Sequence, residues 1–252
     1  MNLLDITLYF AAEMSCGAVN SVAGGGTFLT FPILIMGGLS PLSANIMSTI
    51  ALWPGSVSSA YTYRKQLPGD REWLFAFAAV SMLGGAIGTI VLLVSPEVVF
   101  ERLVPWLLLF ATLVFTFGGR GISWCRQFGA AHGANRSLGL ALQFAIALYG
   151  GYFGAGLGIL MLAMLQVMGL SHIHQMNALK TLLGSVINAS AVVIFAMSGK
   201  VIWEVAAVMV AGAVIGGHLG ARLALRVSPD TVRRAVIVIG FLMTAYFFAH
   251  EA

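Results

Sequence analysis

Apolar runs long enough to cross a bilayer, about 20 residues each, follow one another along the chain with short polar connections. They fall near 44–63, 73–94 and 98–118, and again near 175–198, 203–226 and 231–249. Each triplet is preceded by a run that glycine interrupts. The first, 6–36, is broken by Gly24, Gly25 and Gly26 and carries Pro32; the second, 142–169, is broken within Gly150-Gly-Tyr-Phe-Gly-Ala-Gly-Leu-Gly158. Glycine costs roughly 1 kcal/mol against alanine inside a helix, and three in a row free the backbone to leave the helix. The first run therefore predicts half-helices over 6–22 and 27–36 joined by an unwound break. Unpaired backbone at membrane depth is tolerated only where protein buries it or where it lines a cavity, so the break marks a binding site. A half-helix starting at Thr27 turns its free N–H groups and positive dipole end toward that site, which suits an anion. The competing explanation is that the glycines only let a second helix approach closely.

Composition places these runs in a membrane. The chain has 252 residues, 59% hydrophobic and 9% charged, with a mean hydropathy of +0.94, whereas soluble domains carry about 25% charged residues. The opening residues, Met1 to Phe10, hold no Lys or Arg. They lack the basic region of a cleavable signal peptide and are expected to remain as the first membrane segment. Cys16 falls in a membrane run and Cys125 in a polar stretch, which gives neither a disulfide framework nor metal-ligand spacing. No cofactor is expected. The net charge of +4 reports orientation rather than nucleic-acid binding, because the basic residues sit between apolar spans.

The second triplet repeats the first. Gly38-Leu39-Ser40 matches Gly169-Leu170-Ser171, Asn45 and Thr49 match Asn177 and Thr181, Gly84-Gly85-x-x-Gly88 matches Gly216-Gly217-x-x-Gly220, and Ser95-Pro96-Glu97 matches Ser228-Pro229-Asp230. The offsets are 131, 132 and 133 residues. Two homologous halves, 1–118 and 137–252, are expected around a polar connecting loop, 119–136. If each broken run re-enters and returns, Arg64, Lys65, Arg71, Arg120, Arg126, Arg136, Arg222, Arg226, Arg233 and Arg234 share one face, ten of the thirteen basic residues. Positive-inside bias makes that face, with the connecting loop, cytoplasmic and puts both termini outside. The expected fold is an all-α polytopic membrane protein of two inverted repeats, each a glycine-broken re-entrant segment plus three transmembrane helices. Such repeats place a site at the bilayer midplane between discontinuous helices.

Gly17 to Pro32, Gly150 to Gly158 and the Asn-x-x-x-Thr helices after each break together resemble the sulfite exporter TauE/SafE family of membrane permeases. The resemblance covers nearly the whole chain. It implies a bacterial-type inner-membrane protein that moves sulfur-containing anions such as sulfite, sulfoacetate or related organosulfonates, with export the usual direction. The second motif departs from the first, with Ile159 in place of a third glycine and no proline after it. The expected partners are a small anionic substrate, the lipid bilayer and a second copy of the chain, with no nucleic acid.

The candidate binding residues gather at the breaks and on the helices after them. Gly24, Gly25, Gly26 and Thr27 form the first break, and Gly156 and Gly158 the second. Asn45, Ser48, Thr49, Asn177 and Thr181 offer amides and hydroxyls to oxyanion oxygens, against the common alternative that Ser and Thr bond back to their own helix. Lys180 falls within a span, near the start of its helix, while the other basic residues lie in loops or near span ends. A charge there costs of order 2.5 to 3.5 kcal/mol and marks function; the ammonium can meet an anionic substrate, snorkel, or pair with Glu13. Glu13, an acid at depth, is a candidate for proton coupling. Two further readings are an anion channel and an intramembrane hydrolase built on Ser185 and His218, the latter without a third orienting group.

Overall fold

The computed structural model describes residues 3–22, 26–127, 136–223 and 229–250. Among these residues it is all-helical. The first half contains α1 (Leu3–Val22), α2 (Thr27–Met36), α3 (Pro41–Tyr63), α4 (Arg71–Val94) and α5 (Glu97–Gln127). The second contains α6 (Arg136–Tyr152), α7 (Leu157–Val167), α8 (Ile173–Met197), α9 (Trp203–Leu223) and α10 (Pro229–His250). Both broken runs are thus pairs of helices, with the ends of the first pair at 22 and 27 as the glycines predict. Gly24 and Gly25 lie outside the described residues. One difference is at 119–127: the stretch read as the start of a polar loop continues α5 to Gln127.

Local chemistry sets several of these ends. Ser40 stands in extended backbone ahead of α3 and accepts from the Ser43 N–H, with Pro41 in the first turn where its missing N–H is harmless. Asp70 caps α4 in the same way through the Trp73 N–H. Three described helices, α4, α8 and the 203–220 part of α9, are long and apolar enough to cross a membrane by length and composition alone. The 23-residue α3 is as long, but its Asn45, Ser48, Thr49, Ser56 and Ser59 lower its hydropathy, and most of them are buried in the bundle.

The helices pack reciprocally. α1 lies on α9 and α6 on α4; α3 lies on α9 and α8 on α4; α3 meets α8, and α5 meets α10. Small residues make the crossings close. A Cβ on Gly216 would strike the Met14 carbonyl of α1, and one on Gly88 would strike the Leu148 carbonyl of α6. Such contacts are the usual way for helices to associate where lipid offers no hydrophobic driving force. The main apolar core gathers Phe28, Phe31, Phe100, Phe153 and Phe247 around the short helices, with Phe31 edge-on to Phe153 at 5.8 Å.

Candidate functional site

α3 and α8 cross where the Trp53 indole donates to the Ser185 carbonyl at 3.1 Å. Around this crossing lies a cavity of about 30 Å³, room for on the order of two or three waters. α3 contributes Thr49, Leu52 and Ser56; α8 contributes Lys180, Thr181, Gly184 and Asn188. The first break closes one part of it with Asn20 and Thr27. The second break closes another with Phe153, Gly154, Leu157 and Gly158, and Met161 adds a further apolar wall.

Neither half-helix that starts at a break has a side-chain cap. α2 begins after Gly26 with ordinary helical backbone, while α7 begins after Gly156 in the left-handed region at φ 75°, following Gly154 at φ 78°. Thr27, Leu157 and Gly158 line the cavity, so the first residues of both half-helices adjoin it. Their positive dipole ends favour negative charge there.

Lys180 carries the formal charge. It is 3% exposed, and its ammonium donates to the Asn20 and Ser21 carbonyls at 3.2 Å each. The last carbonyls of a helix have no partner within it, so Lys180 meets two such groups at the end of α1. An ammonium has three donors, and the described residues hold two of them. The pairing with Glu13 is not made. Glu13 is fully buried beside the Cys16 thiol, and the Lys180 ammonium donates elsewhere. The ion pair found among those residues is Arg136 with Glu72, on the exterior.

Of the residues singled out in the sequence, Thr27, Thr49, Gly158, Lys180 and Thr181 reach the cavity. Thr49 and Thr181 bond back to the Asn45 and Asn177 carbonyls, as threonines in membrane helices commonly do. Asn45, Ser48, Asn177, Gly26 and Gly156 lie away from it. Asn45 donates to the Tyr152 carbonyl at 3.1 Å, Ser48 shares a 3.0 Å hydrogen bond with Thr30, and the Asn177 side-chain oxygen is buried without a partner among the described residues. Gly26 packs against Cys16, and Gly156 against Ala111. Asn20, Ser56, Gly184 and Asn188 were missed. Helical spacing could have found two of them: Ser56 and Asn188 stand seven residues beyond Thr49 and Thr181 on the same faces. The hydrolase pair is not assembled, since Ser185 donates to the Thr181 carbonyl at 2.6 Å and His218 shares a 3.4 Å contact with Thr62.

Known proteins resemble this chain over nearly its whole length. The "Probable membrane transporter protein" of Haemophilus influenzae is 27% identical over 242 residues, covering 95% of this chain and 93% of its own length. The "Probable membrane transporter protein YfcA" of Escherichia coli strain K12 is 28% identical over 251 residues, covering 96% and 89%. No solved structure matches the chain significantly. The model of the family described as "Sulfite exporter TauE/SafE" matches residues 9–247, from the first half-helix to the last helix. Glycine-broken helix pairs, a polar cavity between them and relatives of nearly equal length converge on one conclusion: the chain belongs to the sulfite exporter TauE/SafE family of membrane proteins.

Proposed function

We propose that this protein transports small anions across the membrane through the cavity between α3 and α8, with sulfur oxyanions and organosulfonates as the substrate class and export as the direction. One observation carries the reading. Lys180 is a buried ammonium that meets only backbone carbonyls among the described residues, beside two uncapped helix N-termini. A positive charge held at membrane depth without a carboxylate is costly, and an anion in the cavity offsets that cost. A negative cell interior drives an exported anion by about 2.3 kcal/mol per charge per 100 mV. No coupling ion is needed.

The test is sulfite and alkanesulfonate flux in proteoliposomes containing purified protein, with Lys180→Gln as the comparison. Loss of a hydrogen bond to a charged group costs about 1.5 to 3 kcal/mol, so affinity falls roughly tenfold or more. Unchanged affinity in folded Lys180→Gln protein would remove the residue from the site. Trans-stimulation by internal anion distinguishes a carrier from a channel.

Inverted repeats at the membrane, with both termini outside, are part of the same proposal. The reciprocal packing of α1 on α9 and α6 on α4 supports them. Lys65 and Lys200 are both exposed; they follow the ends of α3 and α8, which pack antiparallel, the end of α3 at Tyr63 lying against Ala178 at the start of α8. An impermeant thiol reagent applied to intact cells is expected to label Lys200→Cys and to spare Lys65→Cys. The reverse pattern inverts the orientation.

A further inference from the structure

We propose that Gly184 sets the size of anion the cavity admits, taking the uncharged part of an organic anion whose charged group lies at Lys180. This rests on the transport reading above. Glycine inside a helix is unfavourable, and in this bundle it has a visible reason nearly everywhere. Every other glycine inside a helix whose surroundings are described would bring a Cβ within 3.0 Å of a neighbouring atom. Those glycines let helices touch. Gly184 is different: it sits within α8, lines the cavity, and a Cβ placed on it meets nothing within 4 Å. Close packing does not account for it, and the space it leaves opens into the site.

The position also has a direction. Lys180 and Gly184 stand one turn apart on α8, so they share a face. By the offset that pairs Thr49 with Thr181, Gly184 corresponds to Leu52 of α3, which lines the same cavity. One half supplies a bulky side chain and the other supplies empty space. Near Lys180 the surroundings are polar, because the ammonium bonds the Asn20 carbonyl and the Asn20 amide reaches Ser56 at 3.5 Å. Leu52, Leu157 and Met161 give the cavity an apolar side as well. The chemistry that matches is a charged oxyanion head carrying a small apolar substituent. In a cavity of about 30 Å³, one methyl group takes a large share of the room.

The experiment compares binding of sulfite, methanesulfonate and ethanesulfonate to the purified full chain, wild type against Gly184→Ala, with the melting temperature read beforehand. Gly184→Ala is expected to melt no lower than wild type, since alanine favours the helix and meets no atom. The ratio of ethanesulfonate to sulfite affinity is expected to fall by about tenfold or more, the scale of one misplaced methyl group in a pocket. Leu52→Ala is expected to shift the ratio the other way. Equal loss for all three anions, or no change for any, overturns the size filter, and a lower melting temperature overturns the empty space. If wild-type protein binds none of the anions, the transport reading fails instead, while the melting comparison still reports on the space at Gly184.

Discussion

The two halves solve the same problem with different chemistry. Each contains a first helix that stops inside the bundle, α1 at Val22 and α6 at Tyr152, and leaves its last carbonyls without partners of its own. In each case the third helix of the opposite half reaches across: Asn45 of α3 donates to Tyr152 at the end of α6, and Lys180 of α8 donates to Asn20 and Ser21 at the end of α1. The first donor is a neutral amide and the second an ammonium. By the repeat offset, the residue matching Lys180 in the first half is Ser48, which is occupied with Thr30 of its own half. Equivalent backbone needs therefore do not require equivalent charge. The half that contributes the charge does more than the other for the cavity, because Lys180 lines it while Ser48 does not; on the transport reading proposed above, that asymmetry is what favours an anion there.

The largest expected effects lie at the closest contacts of two crossings, α1 on α9 and α4 on α6. Gly216 and Gly88 both press backbone on backbone, against Met14 and Leu148. Neither carbonyl can move without displacing a helix. Gly216→Leu and Gly88→Leu are each expected to cost several kcal/mol, at or beyond the 1 to 3 kcal/mol usual for overpacking, and to abolish the monodisperse peak in detergent chromatography. A well-folded variant at either position would mean that the α1–α9 or α4–α6 crossing is looser than described.

Next comes the asymmetry itself. Lys180→Gln removes charge from the cavity, whereas Asn45→Ala removes only a carbonyl partner away from it. Lys180→Gln is expected to weaken anion binding by about 1.5 to 3 kcal/mol. Asn45→Ala is expected to lower stability by about 1 kcal/mol, the net worth of an ordinary hydrogen bond, with little change in affinity. Thermal melts with and without sulfite separate the two. If Asn45→Ala lost as much affinity as Lys180→Gln, the charge would not be what distinguishes the halves.

Much of this was legible in the sequence, for physical reasons that also mark where legibility stops. Three adjacent glycines announce that a helix ends, so the boundaries at Val22 and Thr27 could be read directly. The matching offsets paired Asn45 with Asn177 and Thr49 with Thr181, and Lys180 stood out because charge is costly at depth. Which polar residue faces the cavity was not legible, because facing depends on how α3 and α8 cross. Ser48 and Thr49 are adjacent in sequence, yet one bonds Thr30 and the other lines the cavity. Gly184 was invisible for a different reason: a packing glycine and a cavity glycine look alike until their neighbours are known.

The two breaks differ in why glycine is required, which predicts a smaller pair of effects. Gly156 holds φ 75°, where an alanine Cβ crowds the following carbonyl at a cost of roughly 1 to 2 kcal/mol. Gly26 has φ −58°, which alanine adopts freely, but its Cβ would strike the Cys16 carbonyl and sulfur. Gly156→Asn, which tolerates the left-handed region, is expected to melt above Gly156→Ala. At Gly26 no such rescue is expected, and asparagine should be worse than alanine. Rescue at both positions would show that backbone conformation, rather than contact, governs the first break too.

The smallest expected effect concerns a device repeated at two helix crossings. Ser59 donates both to the Gly55 carbonyl one turn back, at 2.9 Å, and across to Gly217 of α9, at 3.1 Å. Thr89 does the same with Gly85 at 2.8 Å and Gly151 of α6 at 3.1 Å. In each case the glycine across the interface is the one whose missing Cβ lets the carbonyl come within reach. Because the hydroxyl already has a partner on its own helix, the interhelical share is only a fraction of a full hydrogen bond. Polar contacts between membrane helices average about 0.6 kcal/mol. Ser59→Ala and Thr89→Val are each expected to lower stability by roughly that amount, measured as the shift in denaturant midpoint, and to do so equally. A loss above about 2 kcal/mol at one site alone would exceed the largest such values measured in membrane proteins. It would mean that one crossing depends on its hydroxyl and the other on its glycine contact.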